Sequence, residues 1–459
     1  MLDQRHRPRY HFLPPANWMN DPNGLIQWQG VYHLFYQHNP HGAFWGTMHW
    51  GHAASRDLVH WEHWPIALAP TPGGPDADGC FSGCAVDDGG VPTLVYTGVS
   101  PEVQCLATSR DGLRTWQKHP ANPVIAAPPP GLSVTGFRDP CVWREGNDWL
   151  MALGSGLEGM GGAVLLYRSA DLRHWDYLGP LCTGREEETG AVWECPNFFA
   201  LGGRHALITS PIPLRRAIYF TGRYAEHRFT PAVQGTVDWG GCYYAPQILR
   251  EAGRTLLFGW LWEGRSPDAQ QAAGWAGVMS LPRALSLTAD GQLAFAPALE
   301  LQALRREPRH FAALDLAPGA ETMLPGVSGD SLEIALELDP GEALTCGLRL
   351  LCTPDGSEEA GIVYDRAGGQ LLIDRARSSL SDGVEREARG GPLALTPGEA
   401  LRLRVFVDRS VVEVFANETL CITSRVYPTQ ADAMGVRLFA QGGGAKAWSL
   451  DVWQMAPIH

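Results

Sequence analysis

No run of 18 apolar residues occurs anywhere in the 459-residue chain, and Met1-Leu2-Asp3-Gln4-Arg5-His6-Arg7 leads into aromatic, Pro-rich sequence without the apolar centre of a leader peptide. A bilayer-spanning helix needs about 20 such residues, so the expectation is a protein with no membrane association, in the cytoplasm, that keeps its N-terminus. Basic runs are missing as well. The 36 Lys and Arg are outnumbered by 49 Asp and Glu, a net charge of −13, and they form no stripe that would neutralise phosphates, which excludes a nucleic-acid partner. The ten cysteines contain no C-x-x-C pair, and a chain this long needs no disulfide framework, so free thiols are expected. Among fifteen histidines there is no metal-ligand spacing; His49 and His52 lie in a strand-like run and are assigned to hydrogen bonding. Neither a metal nor a cofactor is called for. The triplet Asn417-Glu418-Thr419 matches a glycosylation sequon, which has no weight without a secretion signal.

What is present is turn chemistry and aromatic surface: 53 Gly, 35 Pro and 17 Trp. A repeat organises them. Ser55-Arg56-Asp57-Leu58-Val59-His60-Trp61 is echoed by Ser109-Arg110-Asp111 to Trp116 and by Ser169-Ala170-Asp171-Leu172-Arg173-His174-Trp175. Each copy follows a short β-like run, and the serines recur at 54 and 60 residues, the length of one four-stranded propeller blade. In that reading Ser and Asp hydrogen-bond their own turn and Trp packs between blades, so the repeat is architecture rather than chemistry. Between Tyr10 and about Pro297 there is room for five such units. Polar and aromatic clusters recur at Asp21, Ser82, Asp139, Glu194 and Tyr244, in steps of 61, 57, 55 and 50 residues. If each cluster opens the innermost strand of a blade, all five face one central funnel. No convincing helix-period segment interrupts the region.

After Arg283 the texture changes. Leu285 to Leu304 is apolar and Ala-rich, and Glu300 to Arg305 suits a short linking helix. Beyond it Leu401, Leu403, Val405 and Val407 alternate with other residues, then Asp408-Arg409-Ser410 turns the chain into Val411-Val412-Glu413-Val414-Phe415, a hairpin pattern. Leu332 to Leu338 and Leu348 to Leu351 read as further strands. The predicted organisation is a propeller over 1–297, a linker over 298–308 and an all-β domain, most economically a sandwich, over 309–459.

Cleaving a glycosidic bond with retention needs one carboxylate to attack and one carboxylic acid to protonate the departing oxygen, about 5 to 5.5 Å apart. Three acidic residues sit in suitable settings. Asp21 lies between amide side chains and a Pro-Asn-Gly turn in Trp18 to Gly24; Asp139 stands beside Arg138 in Phe137-Arg138-Asp139-Pro140; Glu194 is flanked by Trp193 and Cys195-Pro196. A guanidinium beside Asp139 favours its charged form, and apolar neighbours raise the pKa of Glu194 toward that of a general acid. Taken singly, each fragment also reads as an ordinary turn, ion pair or strand residue.

Together they carry a resemblance. His11-Phe12-Leu13-Pro14-Pro15 with Trp18 to Gly24, Phe35 to Pro40, Trp45-Gly46, His49 to His52, Phe81-Ser82-Gly83, Phe137 to Pro140, Trp193 to Pro196, Tyr244 to Gln247 and Phe406 to Phe415 resemble, in order, the blocks of the invertase and fructan-hydrolase group, glycoside hydrolase family 32. The resemblance runs from Tyr10 to about Trp453. It implies an all-β fold, a five-bladed β-propeller followed by a C-terminal β-sandwich. It also implies release of a terminal β-fructofuranosyl unit from sucrose, raffinose-type sugars or short fructans, without a cofactor. Asp21 is then the nucleophile, Glu194 the acid/base and Asp139 a stabiliser, while Asn20, Gln37, Trp45, Phe81, Ser82, Arg138, Asp238, Tyr244 and Trp260 line the fructose subsite, with Trp262 an alternative to Trp260. Cys84 and Cys141 depart from the family pattern without touching a carboxylate of the trio, and Cys195 is read as packing beside Glu194. Fructosyl transfer, a silent fructan-binding protein and an inverting pentosidase are the alternatives. The leaving sugar, its possible phosphorylation and the oligomeric state are left open.

Overall fold

The computed structural model describes residues 2–251 and 253–458. Strands dominate it, and among the described residues no helix is long and apolar enough to cross a membrane. Five sheets of four or five strands, antiparallel except for one short parallel pairing, follow one another along the first two thirds of the chain. Each contains one strand that faces the middle: β1 (Asn17–Trp28), β2 (Gly79–Asp87), β3 (Val134–Glu145), β4 (Val192–Leu201) and β5 (Tyr243–Glu251). β1 packs beside β2, β2 beside β3, β3 beside β4, β4 beside β5, and β5 beside β1, so the five close into a ring. The first sheet is completed from far along the chain, where Trp275–Ala276 pairs in parallel with Asn17 and Trp18 of β1.

The Ser-Asp-Trp repeats are turn scaffolds, as their chemistry predicts. Asp57 accepts the main-chain N–H groups of Val59 and His60, Asp171 those of Arg173 and His174, and Asp111 that of Thr115. Leu58, Leu113 and Leu172 adopt positive φ near 65°, a conformation bulky residues rarely take without such bonds. Trp61 and Trp175 reach back to the carbonyls of Leu58 and Leu172, leaving their rings to pack.

Residues from Arg305 onward form two six-stranded antiparallel sheets that share one core, into which Ile334, Leu348, Ile362, Ile373, Val405, Val414 and Leu438 are all buried. Each such side chain contributes about 1.5–3 kcal/mol by leaving water. The predicted hairpin is present as β6 (Leu401–Asp408) and β7 (Val411–Ala416), continued by β8 (Leu420–Arg425). The expected linking helix is a 3-10 turn at Leu299–Leu304, and the next strand starts at Arg305, inside the span predicted as linker. A seven-residue helix, Pro267–Ala273, interrupts the first region where no helix was expected; Ser266 caps its start and Gly274 ends it in the left-handed conformation.

The two regions meet through buried charge. Arg283 donates to Asp238, Glu413 and Thr423 with no side-chain exposure at either acid. His11 places one ring nitrogen 2.9 Å from Asp408 and the other 3.1 Å from Glu413, so both nitrogens act as donors and the ring is held as imidazolium. The Asp408-Arg409-Ser410 turn also clasps the N-terminal segment: Asp408 accepts the N–H groups of Arg9, Tyr10 and His11, and Ser410 donates to the carbonyl of His6.

Candidate active site

Every inner strand breaks its ladder at the residue that matters. The pairing register shifts between Met19 and Pro22 in β1, Phe81 and Gly83 in β2, Arg138 and Cys141 in β3, Glu194 and Asn197 in β4, and Tyr244 and Gln247 in β5. Four of these bulges contain a proline, Pro22, Pro140, Pro196 and Pro246, which cannot donate to a ladder and is accommodated where the ladder is already interrupted. At the fifth, Gly83 carries no side chain because a Cβ would meet the carbonyl of Val95. The residue before each of three prolines is driven to positive φ: Asp139 at 64°, Cys195 at 47° and Ala245 at 45°. Such backbone costs about 1–3 kcal/mol and persists only where neighbours hold it.

The neighbours are in the preceding sheet. A bulge frees one N–H from its own ladder, and each freed N–H crosses to the sheet before it: Asp139 to Thr97 Oγ1 at 2.9 Å, Cys195 to Asp139 Oδ2 at 2.9 Å, and Ala245 to Ser210 Oγ at 3.0 Å. The bulges thus aim side chains at the axis and stitch the sheets together there.

Asp21, Asp139 and Glu194 meet at that end of the ring. Cys195 Sγ lies 3.6 Å from Oδ2 of both Asp21 and Asp139. Ser82 donates to Asp21 at 2.6 Å and Asn20 at 3.1 Å, while Asn20 accepts from the Trp18 indole at 2.7 Å. Arg138 bridges Glu194 at 3.1 Å and Glu102 at 2.8 Å, and Tyr244 donates to the second oxygen of Glu194 at 2.9 Å. Asp139 is buried, Asp21 is half-buried, and Glu194 keeps 19% of its side chain exposed.

Burial pushes all three carboxyls above their ordinary values. For Asp139 the charge of Glu194 adds to burial, and Arg138 opposes both. For Glu194 burial is opposed by Arg138 and by the Tyr244 hydrogen bond, while Asp21 raises it further. For Asp21 burial is opposed by its hydrogen-bond donors, Ser82, Asn20 and Cys195, which all favour its charged form. Three carboxyls with one guanidinium among them titrate together and retain a proton in the range where free carboxyls have lost theirs. A site that keeps one carboxyl charged and another protonated can combine nucleophilic attack with proton donation.

The other residues singled out from sequence divide. Phe81 and Trp45 meet edge to face at 6.2 Å, with Trp45 59% exposed at the rim. Trp260 packs edge-on to Trp18 at 5.8 Å, and Trp262 lies 5.6 Å from the Tyr244 ring. Gln37 is buried and donates to the carbonyl of Cys80, bracing the entry to β2. Asp238 is a correction. Its two oxygens accept from Gly240, Arg283 and both the N–H and hydroxyl of Thr423, so the carboxylate belongs to the buried junction and is not offered to a sugar. Its place in the chain suits a fifth-blade site residue, but the partner that claims it lies 185 residues away.

Sequence reasoning also passed over Glu102, Thr97 and Gln104. Glu102 accepts from Arg138 and from the N–H of Phe137, Thr97 receives the freed N–H of Asp139, and Gln104 donates to the carbonyl of Phe137. Thr97 and Gln104 come from strands of the second sheet and Glu102 from the turn between them, and all three hold the third sheet's bulge; nothing in Ser100-Pro101-Glu102 distinguishes it from a surface turn.

Two family models match the chain: glycosyl hydrolases family 32 N-terminal domain over residues 11–297 and its C-terminal counterpart over 300–454. Sucrose-6-phosphate hydrolase of Zymomonas mobilis subsp. mobilis is 37% identical, the match covering 99% of this chain and 93% of the relative. Raffinose invertase of Escherichia coli is also 37% identical, covering 98% and 95%. Among solved structures, fructan 1-exohydrolase IIa from Cichorium intybus superposes with a TM-score of 0.91 at 30% identity, covering 100% of this chain and 98% of that one.

Proposed function

Because the chain belongs to glycoside hydrolase family 32, we propose that it is an exo-acting, retaining β-fructosidase that hydrolyses the terminal β-D-fructofuranosyl bond of sucrose or a related fructoside. The observation that carries the reading is the convergence of Asp21, Asp139 and Glu194 from three different strands around Cys195 and Arg138. We read the five sheets as propeller blades over 1–297 and the two six-stranded sheets as a sandwich domain after a short linker.

Asp21, with donors on both oxygens, is the nucleophile: it attacks the anomeric carbon as the glycosidic bond breaks. Glu194 gives its proton to the departing oxygen, then takes a proton from water as water displaces Asp21, which returns both carboxyls to their starting state. Asp139 faces the fructosyl hydroxyls and stabilises positive character at the ring carbon. Asn20, Phe81, Ser82, Arg138, Tyr244 and Trp260 shape the fructose pocket, Trp45 its rim, and Gln37 supports it from behind. Sucrose-type sugars are assigned from the relatives' activities.

The test is proton NMR of a fresh reaction with sucrose and 1-kestose. Fructose should appear first as its β-furanose form and one unit at a time; initial release of the α form, or no release, would overturn the reading.

A further inference from the structure

Each joint between neighbouring sheets of the ring is crossed near the axis by a hydrogen bond that involves a side chain. Gln37 reaches from the first sheet to the carbonyl of Cys80 in the second, and Gln104 from the second to that of Phe137 in the third. Between the third and fourth the crossing runs from the Cys195 N–H to Asp139, and Asn197 of the fourth donates to the carbonyl of Pro246 and accepts the N–H of Ile248 in the fifth. At the last joint, where the end of the ring returns to its beginning, the crossing residue is Gln247.

Gln247 differs from the others because it holds two sheets besides its own. Its Oε1 accepts the N–H of Leu25 in β1 at 2.9 Å, and its Nε2 donates to the carbonyl of Gly83 in β2 at 2.7 Å. Both main-chain groups lie at breaks in their ladders: the register of β1 shifts between Asn23 and Ile26, and that of β2 between Phe81 and Gly83. One amide of the fifth sheet therefore fixes the first sheet against the second. That is the joint across which Ser82 donates to Asp21 at 2.6 Å. Ser82 directly precedes Gly83, and Asp21 and Leu25 share one strand. There is little slack between them. Asn23, Ser82, Gly83, Asp139 and Gln247 line an axial space of about 10 Å³, room for one water molecule at most. In packing this tight a displacement of Gly83 carries over to Ser82.

We propose that Gln247 is a positioning residue for the nucleophile: by clamping Leu25 to Gly83 it keeps the Ser82 hydroxyl on Asp21. The inference rests on the reading of Asp21 as nucleophile given above. It extends the working site to an amide whose two partners are main-chain groups of other sheets, and it makes closure of the ring a condition for the geometry at Asp21.

Kinetics and crystallography of the full-length protein test it. In Gln247→Met the kcat on sucrose should fall about tenfold or more, as expected for two lost hydrogen bonds whose main-chain partners stay behind, while KM stays within a factor of about three. In a Ser82→Ala background the same substitution should cost less than about twofold, because the bond it protects is already gone. Crystals of Gln247→Met should show Ser82 Oγ drawn beyond hydrogen-bond reach of Asp21. Should Gln247→Met not fold, Gln247→Ala, in which water can satisfy both main-chain groups, is measured in the same way. A folded variant with a lowered melting temperature and unchanged kcat, equal losses with and without the Ser82 hydroxyl, or a Ser82–Asp21 bond intact in the crystal overturns the positioning role. Wild-type protein that cleaves neither sucrose nor 1-kestose, with Ser82 displaced in the variant crystal, would uphold the clamp and sink the fructosidase reading instead.

Discussion

The main-chain N–H of Cys195 donates to the Asp139 carboxylate across 2.9 Å, from one sheet to the one before it. Cys195 has this N–H to spare only because its strand is bulged, and it points there only because its φ is 47°. Strain in one strand therefore orients the acid of another, and the trio is positioned by backbone as much as by side chains.

Glu194→Gln should lower kcat on sucrose by about 100- to 10,000-fold, the range that a general acid contributes, and Asp21→Asn by at least as much. Circular dichroism should show both variants folded. Turnover near the wild-type rate in either would remove that residue from its role.

The alkaline limb of the rate profile reports Glu194, which must hold its proton to act. Arg138 and the Tyr244 hydroxyl both keep its pKa down against burial. Removing either lets the value rise, so activity persists to higher pH. The limb in kcat/KM should move upward in Tyr244→Phe and further in Arg138→Met, where a full charge is lost. A shift to lower pH in both contradicts the assignment of the limb.

Gly154 sits where the strands of Arg138 and Glu194 pass each other; a Cβ there would lie 2.5 Å from the carbonyl oxygen of Trp193 and 2.9 Å from that of Arg138. Gly154→Ala should cost about 1–3 kcal/mol of stability through overpacking, and kcat should fall with it because both side chains move. Differential scanning calorimetry with parallel kinetics checks this. An unaltered melting temperature would mean that the strands part without penalty.

Asp238 and Arg283 should behave as structural partners. Arg283→Met leaves the buried Asp238 without a cation and Glu413 with His11 alone, and should destabilise the protein by about 3–5 kcal/mol in denaturant titration. Asp238→Asn should also lose stability, while the KM for sucrose of the folded protein stays within a factor of about two, since that carboxylate is turned away from the site. A large rise in KM without loss of stability would restore Asp238 to the sugar pocket.

The same junction is pH-sensitive through His11. Burial works against its charge, but the bonds to Asp408 and Glu413 prevail and its pKa is raised. Its contribution is complete below the unfolded value near 6.5 and is lost as pH rises through the higher folded value. Glu413, opposed by burial but held down to about 2 chiefly by Arg283, contributes above its unfolded value and loses that as pH falls toward 2. Unfolding free energy measured from pH 6 to 9 should decline in the wild type more than in His11→Gln; parallel profiles would exclude His11 as the source.

Much of this was legible in the residues themselves because it is local. A Ser-x-Asp turn satisfies its own backbone, an alternating run declares a strand, and a proline beside an acid marks a place where a ladder must break; these need no knowledge of the rest of the chain. The spacing of Asp21, Ser82, Asp139, Glu194 and Tyr244 even implied one shared centre. Only the tertiary structure decided which polar groups belong together. Asp238 went to Arg283 and Thr423, the Asp408 turn to the N-terminal segment, and Glu102 to Arg138. The physical reason is that a buried charge takes whichever partner the packed sheets bring within about 3 Å, and separation along the chain does not enter that choice.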